Sequence, residues 1–141
     1  MSVTIHEGAE ALIVSSDHKI RKELADNLRV HRMHPLLSSS AVQGLLVLSS
    51  HSVSIALCED RLIDAEYLDF VHHARRLARD VPVIVVTQVF DADERITAIA
   101  SGDFHYVGWP PDRPEFEYAL LSAFREHDRR RNLMSEQAAS R

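Results

Sequence analysis

The heptapeptide VPVIVVT, Val81 to Thr87, constrains the fold of this chain more than any other stretch. It is rich in β-branched residues and apolar on both faces, so as a strand it needs helices covering both sides of its sheet, the setting of a central parallel strand. Two more apolar runs have strand length: ALIV, Ala11 to Val14, and VSIALC, Val53 to Cys58. Weaker candidates complete the set. MHPLLS, Met33 to Ser38, contains Pro35, which removes one ladder donor and suits a margin of the sheet, and FHYVGW, Phe104 to Trp109, precedes a proline break.

Helical patterns fill the gaps between these runs. Ile20, Leu24 and Leu28 form an i, i+4, i+8 stripe that ends near His31, after an SSD segment suited to a helix start. Val42, Leu45, Leu46 and Ser49 mark a short second helix. YLDFVHHARRLA marks a third, with Leu68, Val71, Arg75 and Ala78 on one face and Tyr67, Phe70, Ala74 and Leu77 on the adjoining one. DADERITAIASGD is a fourth, stopped by Gly102, and PEFEYALLSAFREH a fifth, with Phe116, Leu120 and Phe124 inward. Five strands thus alternate with five helices. The expected fold is α/β, a three-layer sandwich around a doubly wound five-stranded parallel sheet, with functional groups at the carboxyl ends of the strands.

A length of 141 residues suits one core. The division expected is a domain over 1–127 and a polar tail or linker over 128–141. Sixteen Lys and Arg against twenty-one Asp and Glu give a net charge of -5, which argues against a broad surface for nucleic acid. A single cysteine, Cys58, lies inside an apolar run and reads as a small buried hydrophobe in a reducing compartment, so the cytoplasm is expected. No stretch approaches the ~20 apolar residues of a membrane span, and the first residues lack a signal-peptide pattern.

The strand ends present Ser15, Ser16 and Asp17, then Glu59, then Thr87, then Trp109-Pro110. Read alone, the first three are helix-capping residues, Thr87 is an ordinary strand-end residue, and Glu59 is either a working group or a solvated acid. His31, His34, His72 and His73 match no complete metal-ligand spacing. DRRR, Asp128 to Arg131, reads as a basic run at the end of the last helix, where cations complement the helix dipole.

Together these segments resemble the receiver domain of bacterial response regulators from about Ala11 to His127. ALIVSSDHKIRKEL is similar to that family's first strand and helix, and IALCEDRL to the segment that ends in its phosphorylated aspartate. VPVIVVTQVFDADERITAIASGDFHYVGWP is similar to the run carrying its Thr or Ser, its switch aromatic and its Lys-Pro pair. The resemblance implies a flavodoxin-like topology with strand order 2-1-3-4-5. It places Glu59 at the phosphoacceptor, Ser15 and Ser16 at the two metal-holding aspartates, Thr87 and Tyr106 at the switch pair, and Trp109 at the lysine. It also places the family's cis peptide at Trp109-Pro110.

Phosphoryl transfer to a carboxylate uses Mg²⁺ held by oxygen ligands and a cation to stabilise developing charge. Serines at Ser15 and Ser16 and an indole at Trp109 supply neither. The expectation is therefore a module, not an enzyme, that needs no metal or cofactor and works without phosphorylation. It would bind a protein partner, or a second copy of itself, through the face from Asp91 to His127. Thr87 bonded to Glu59 would hold Tyr106 inward. Two alternatives stand beside it: a residual phosphoacceptor at Asp60 or Asp64, and a small-ligand sensor using a vacated pocket between Ser15, Ser16, Glu59 and Trp109.

Overall fold

The computed structural model describes residues 7–140; residues 1–6, expected in the domain, and Arg141 lie outside the described residues. Five strands are present: β1 (Glu10–Val14), β2 (His34–Ser38), β3 (Ile55–Glu59), β4 (Val83–Thr87) and β5 (His105–Gly108). They alternate with α1 (His18–Val30), α2 (Ala41–Ser50), α3 (Tyr67–Leu77), α4 (Ala92–Ser101) and α5 (Arg113–Ala139). The sheet is parallel throughout, in the order β2-β1-β3-β4-β5. β2, the strand with Pro35, lies at one edge, where a missing donor disturbs the ladder least.

Alternation along each strand divides the core into two layers. Ala11, Ile13, Ile55, Leu57, Ile84 and Val86 point to the side covered by α1 and α5, where Phe116, Leu120 and Phe124 are buried. Leu12, Val14, Ala56, Cys58, Val83 and Val85 point to the other side and meet residues of α2, α3 and α4, among them Phe70 and Ala98. Phe70, Phe116 and Phe124 are almost fully enclosed, each burial contributing roughly 1.5–3 kcal/mol.

One helix face differs from the pattern expected, and another, left open between two faces, is decided. In α2 the buried residues are Ala41, Gly44 and Leu48, while Val42 and Leu46 are exposed. The reason is close approach: a Cβ on Gly44 would lie 2.6 Å from Val14 Cγ2, so the small face is the one that fits against β1. In α3 both faces contribute, through Phe70 and Ala74 from one and Val71 from the other. Gly102 ends α4 in the left-handed region at φ 69°, which glycine adopts without a Cβ clash.

The largest difference is at the chain's end. Residues 128–139, expected as a polar tail, continue α5 without a break. The segment lacks proline and glycine and is rich in helix formers, so the helix already anchored by Phe116, Leu120 and Phe124 propagates at one hydrogen bond per residue. Arg129 to Arg131 consequently lie within the helix and not at its end.

Candidate functional site

The carboxyl ends of β1, β3, β4 and β5 carry the expected residues, and their positions follow from strand parity. Ser15 continues the series Ala11, Ile13 and Glu59 the series Ile55, Leu57, so both point to the α1 and α5 side. Ser15 Oγ donates to Glu59 Oε1 at 2.8 Å, and both residues are buried, Glu59 at 3% exposure. Gln88 Nε2 donates to Glu59 Oε2 at 3.2 Å. The carboxylate is thus held by two neutral donors.

Thr87 belongs to the other series, with Val83 and Val85, as does Tyr106. Its hydroxyl does not reach Glu59. β3 and β4 pair with Glu59 opposite Val86, which sets Asp60 beside Thr87, and Thr87 Oγ1 lies 2.8 Å from Asp60 Oδ2 and 2.9 Å from the Val89 carbonyl. The same oxygen accepts from Val89 N–H at 3.1 Å. The expected Thr87–Glu59 bond is therefore replaced by Thr87–Asp60, because Asp60 falls on Thr87's side of the sheet.

Tyr106 is turned inward and buried. Its hydroxyl accepts from Asp91 N–H at 3.2 Å, and its ring lies 5.5 Å from that of Phe90. The Arg95 guanidinium sits over the Phe90 ring, 5.7 Å from its centroid, within reach for a cation–π contact.

The serine-rich start of α1 divides its labour. Asp17 caps the helix by accepting from Ile20 N–H at 3.1 Å. Ser16 Oγ donates to the Ser39 carbonyl and accepts from Ile63 N–H, both at 3.0 Å, tying together the loops after β2 and β3. Arg21 Nη1 donates to the Ser15 carbonyl at 2.7 Å.

Trp109 is buried, stacks edge-on against Phe116 at 5.5 Å and donates from Nε1 to Glu23 Oε2 at 2.9 Å. The Trp109-Pro110 bond is cis. The indole thus faces α1 and α5 as part of the core. Asp64, one of the alternative acceptors, is engaged elsewhere: it accepts from Ala41 N–H at 2.8 Å and Val42 N–H at 3.1 Å at the start of α2. Those two donors lower its carboxyl below the ordinary value.

Ser15 and Glu59 are bonded to each other and buried, so neither side chain stands open beside Ser16 and Trp109. A cleft of about 410 Å³ opens instead over β4 and β5, lined by Thr87, Gln88, Phe90, Arg95, Trp109 and Pro110 among others. Among the described residues no group of three or more His, Cys, Asp and Glu is placed to hold a metal.

Three residues at this end were missed by sequence reasoning, Gln88, Glu23 and Arg21, and Asp60 was expected only as an alternative phosphoacceptor and not as the partner of Thr87. Asp60 had a signal, its place directly after Glu59. The other three reach their contacts from a loop or from α1, across 29, 86 and 6 residues respectively.

No family model matches the chain. It is 26% identical over 118 residues to the photosynthetic apparatus regulatory protein RegA of Rhodovulum sulfidophilum, a match covering 84% of this chain and 64% of that protein. Among solved structures, a response regulator receiver domain protein from Clostridium thermocellum superposes with a TM-score of 0.75 at 20% identity, over 85% of this chain and 97% of that one. A structure described as adenylate cyclase from Rhodopirellula baltica gives a TM-score of 0.77 at 16% identity, over 94% and 96%. No helix among the described residues is long and apolar enough to cross a membrane. With five parallel strands in the order 2-1-3-4-5, this chain has the receiver-domain fold and is similar to the receiver domains of response regulators.

Proposed function

We propose that the chain is a cytoplasmic, non-enzymatic receiver-like module that binds a protein partner and acts without phosphorylation. The observation that carries this is the buried Ser15–Glu59 hydrogen bond, in which a hydroxyl occupies space beside the carboxylate that a metal ion and its waters would need. Trp109 adds no cation there and is committed to the core. A fixed carboxylate contributes one negative charge where a phosphate would contribute about -1.5 to -2, so Glu59 stands as a partial imitation of the modified state.

The partner face is the one from Asp91 to His127. A groove of about 720 Å³ runs along it, and Ile96, Ile99 and Tyr118 are exposed at 64%, 73% and 73%. Such a grouping of apolar side chains on a charged surface suits a protein surface, another molecule or a second copy. Against the small-ligand alternative stands the Ser15–Glu59 bond, which engages two of its four residues with each other. The phosphoacceptor alternative keeps one point in its favour, the contact of Asp60 with Thr87.

The test is treatment with acetyl phosphate and Mg²⁺, followed by intact-mass measurement and peptide mapping. The expected result is no added phosphoryl group. A phosphoryl group on Asp60 would establish the acceptor alternative, and one on Glu59 would overturn the proposal outright. For the partner face, Tyr118→Arg should abolish association, measured by sedimentation for self-association and by titration for a partner.

A further inference from the structure

The opposite end of the molecule carries a second feature, independent of the strand-end site. The run Asp128 to Arg131 loses its simplest explanation once α5 is seen to continue to Ala139. Arg129 lies roughly three turns before the helix end, whereas the attraction of cations to a helix terminus is confined to about the last turn. The dipole accounts for Arg75 and Arg76 in the last turn of α3, but not for the arginines of α5.

Those arginines meet the ones of α3. A cleft of about 220 Å³ is lined by Arg75, Arg79, Arg129 and Arg130, with Leu133, Met134 and Gln137 closing it, and no acidic residue belongs to its lining. Arg130 is fixed: its side chain is 12% exposed, its Nε donates to Glu126 at 2.9 Å, and its Nη1 points at the Arg79 and Val81 carbonyls at 3.5 Å. Glu126 also pairs with Arg129 at 2.6 Å, and Asp103 pairs with Arg75. Two carboxylates outside the cleft therefore serve three of its four guanidiniums, in a chain whose net charge is -5.

We propose that this cleft between α3 and α5 binds a compact, multiply charged phosphate anion of the pyrophosphate kind. Guanidiniums present paired N–H donors that match phosphate oxygens, and several around one small concavity favour a dense anion over a single carboxylate. Binding adds the counter-charge that the cleft lacks. It also joins the end of α3 to the distal part of α5, where Leu133 is 42% exposed and Met134 39%.

The experiment is calorimetric titration of the full chain with sodium pyrophosphate at low ionic strength, repeated with added salt. One saturable site is expected, weakening as salt screens it. Arg79→Gln should lower affinity by about tenfold, the scale of one charge-assisted hydrogen bond, and Arg79→Lys by less. Arg61→Gln, which removes the same charge at the other end of the sheet, should leave affinity within about twofold. Thermal unfolding of each variant without ligand checks that the fold is kept. An equal loss in Arg61→Gln would reduce the effect to net charge and overturn the site, as would the absence of saturable binding. Tight binding of a DNA duplex that pyrophosphate does not compete away would also overturn it.

Discussion

The Thr87 hydroxyl is bonded to Asp60 and not to Glu59, two carboxylates that are adjacent in sequence but point to opposite sides of the sheet. Two separate polar clusters result, Ser15–Glu59–Gln88 on one side and Asp60–Thr87–Val89 on the other. The second cluster leads to Tyr106, since Phe90 follows Val89 and packs on the Tyr106 ring.

Thr87→Val keeps the shape of the side chain and removes its hydroxyl. It should destabilise the fold by about 1.5–3 kcal/mol, because a hydrogen bond to a charged group is lost and Val89 N–H loses its acceptor. Thr87→Ser should retain most of that stability. Urea unfolding measures both, and a valine variant as stable as the parent would mean that the contact with Asp60 is not made.

Ser15→Ala leaves a buried carboxylate with one donor fewer, whereas Glu59→Gln removes its charge. A double-mutant cycle on stability should give a coupling of about 1 kcal/mol between the two positions. Strictly additive losses would show that the hydroxyl and the carboxylate do not interact in solution.

Acid should weaken the fold through two carboxyls held below their ordinary values. Arg129 first, by hydrogen bonding, and Arg130 with it lower Glu126 to about 2, and the Ala41 and Val42 N–H groups lower Asp64. A depressed folded-state pKa stabilises above the unfolded value and is lost as pH falls through the folded one. The Glu126 contribution should therefore be complete above about pH 4.5 and gone near pH 2. Glu126→Gln and Asp64→Asn should each flatten the acid limb of stability against pH, and an unchanged limb in both would contradict the contacts drawn.

Trp109 is the chain's single tryptophan, so its fluorescence reports on this end alone. Emission should be blue-shifted in the native state and move red on unfolding. Trp109→Lys should cost about 3 kcal/mol or more, through the lost ring and a charge placed in its cavity, while Trp109→Phe should cost less. A lysine variant of near-native stability would mean that the position faces solvent and that the indole is not a core residue.

Much of this molecule was legible in the sequence. VPVIVVT dictated a two-sided sheet, the stripes Ile20–Leu24–Leu28 and Phe116–Leu120–Phe124 marked helices with one buried face, and Pro35 consigned its strand to an edge. These follow from periodicity and local sterics, which act over a few residues and are written in the chain. The tertiary structure alone decided which strand-end groups meet. The register that sets Glu59 opposite Val86 is a property of two strands together, and moving it by one residue exchanges Glu59 for Asp60 beside Thr87. The inner face of α2 was likewise settled by Gly44 against Val14, a contact between elements. The distal part of α5 was hidden because its polar residues have no inward stripe of their own; they are helical as the continuation of a helix that the core had already paid to nucleate.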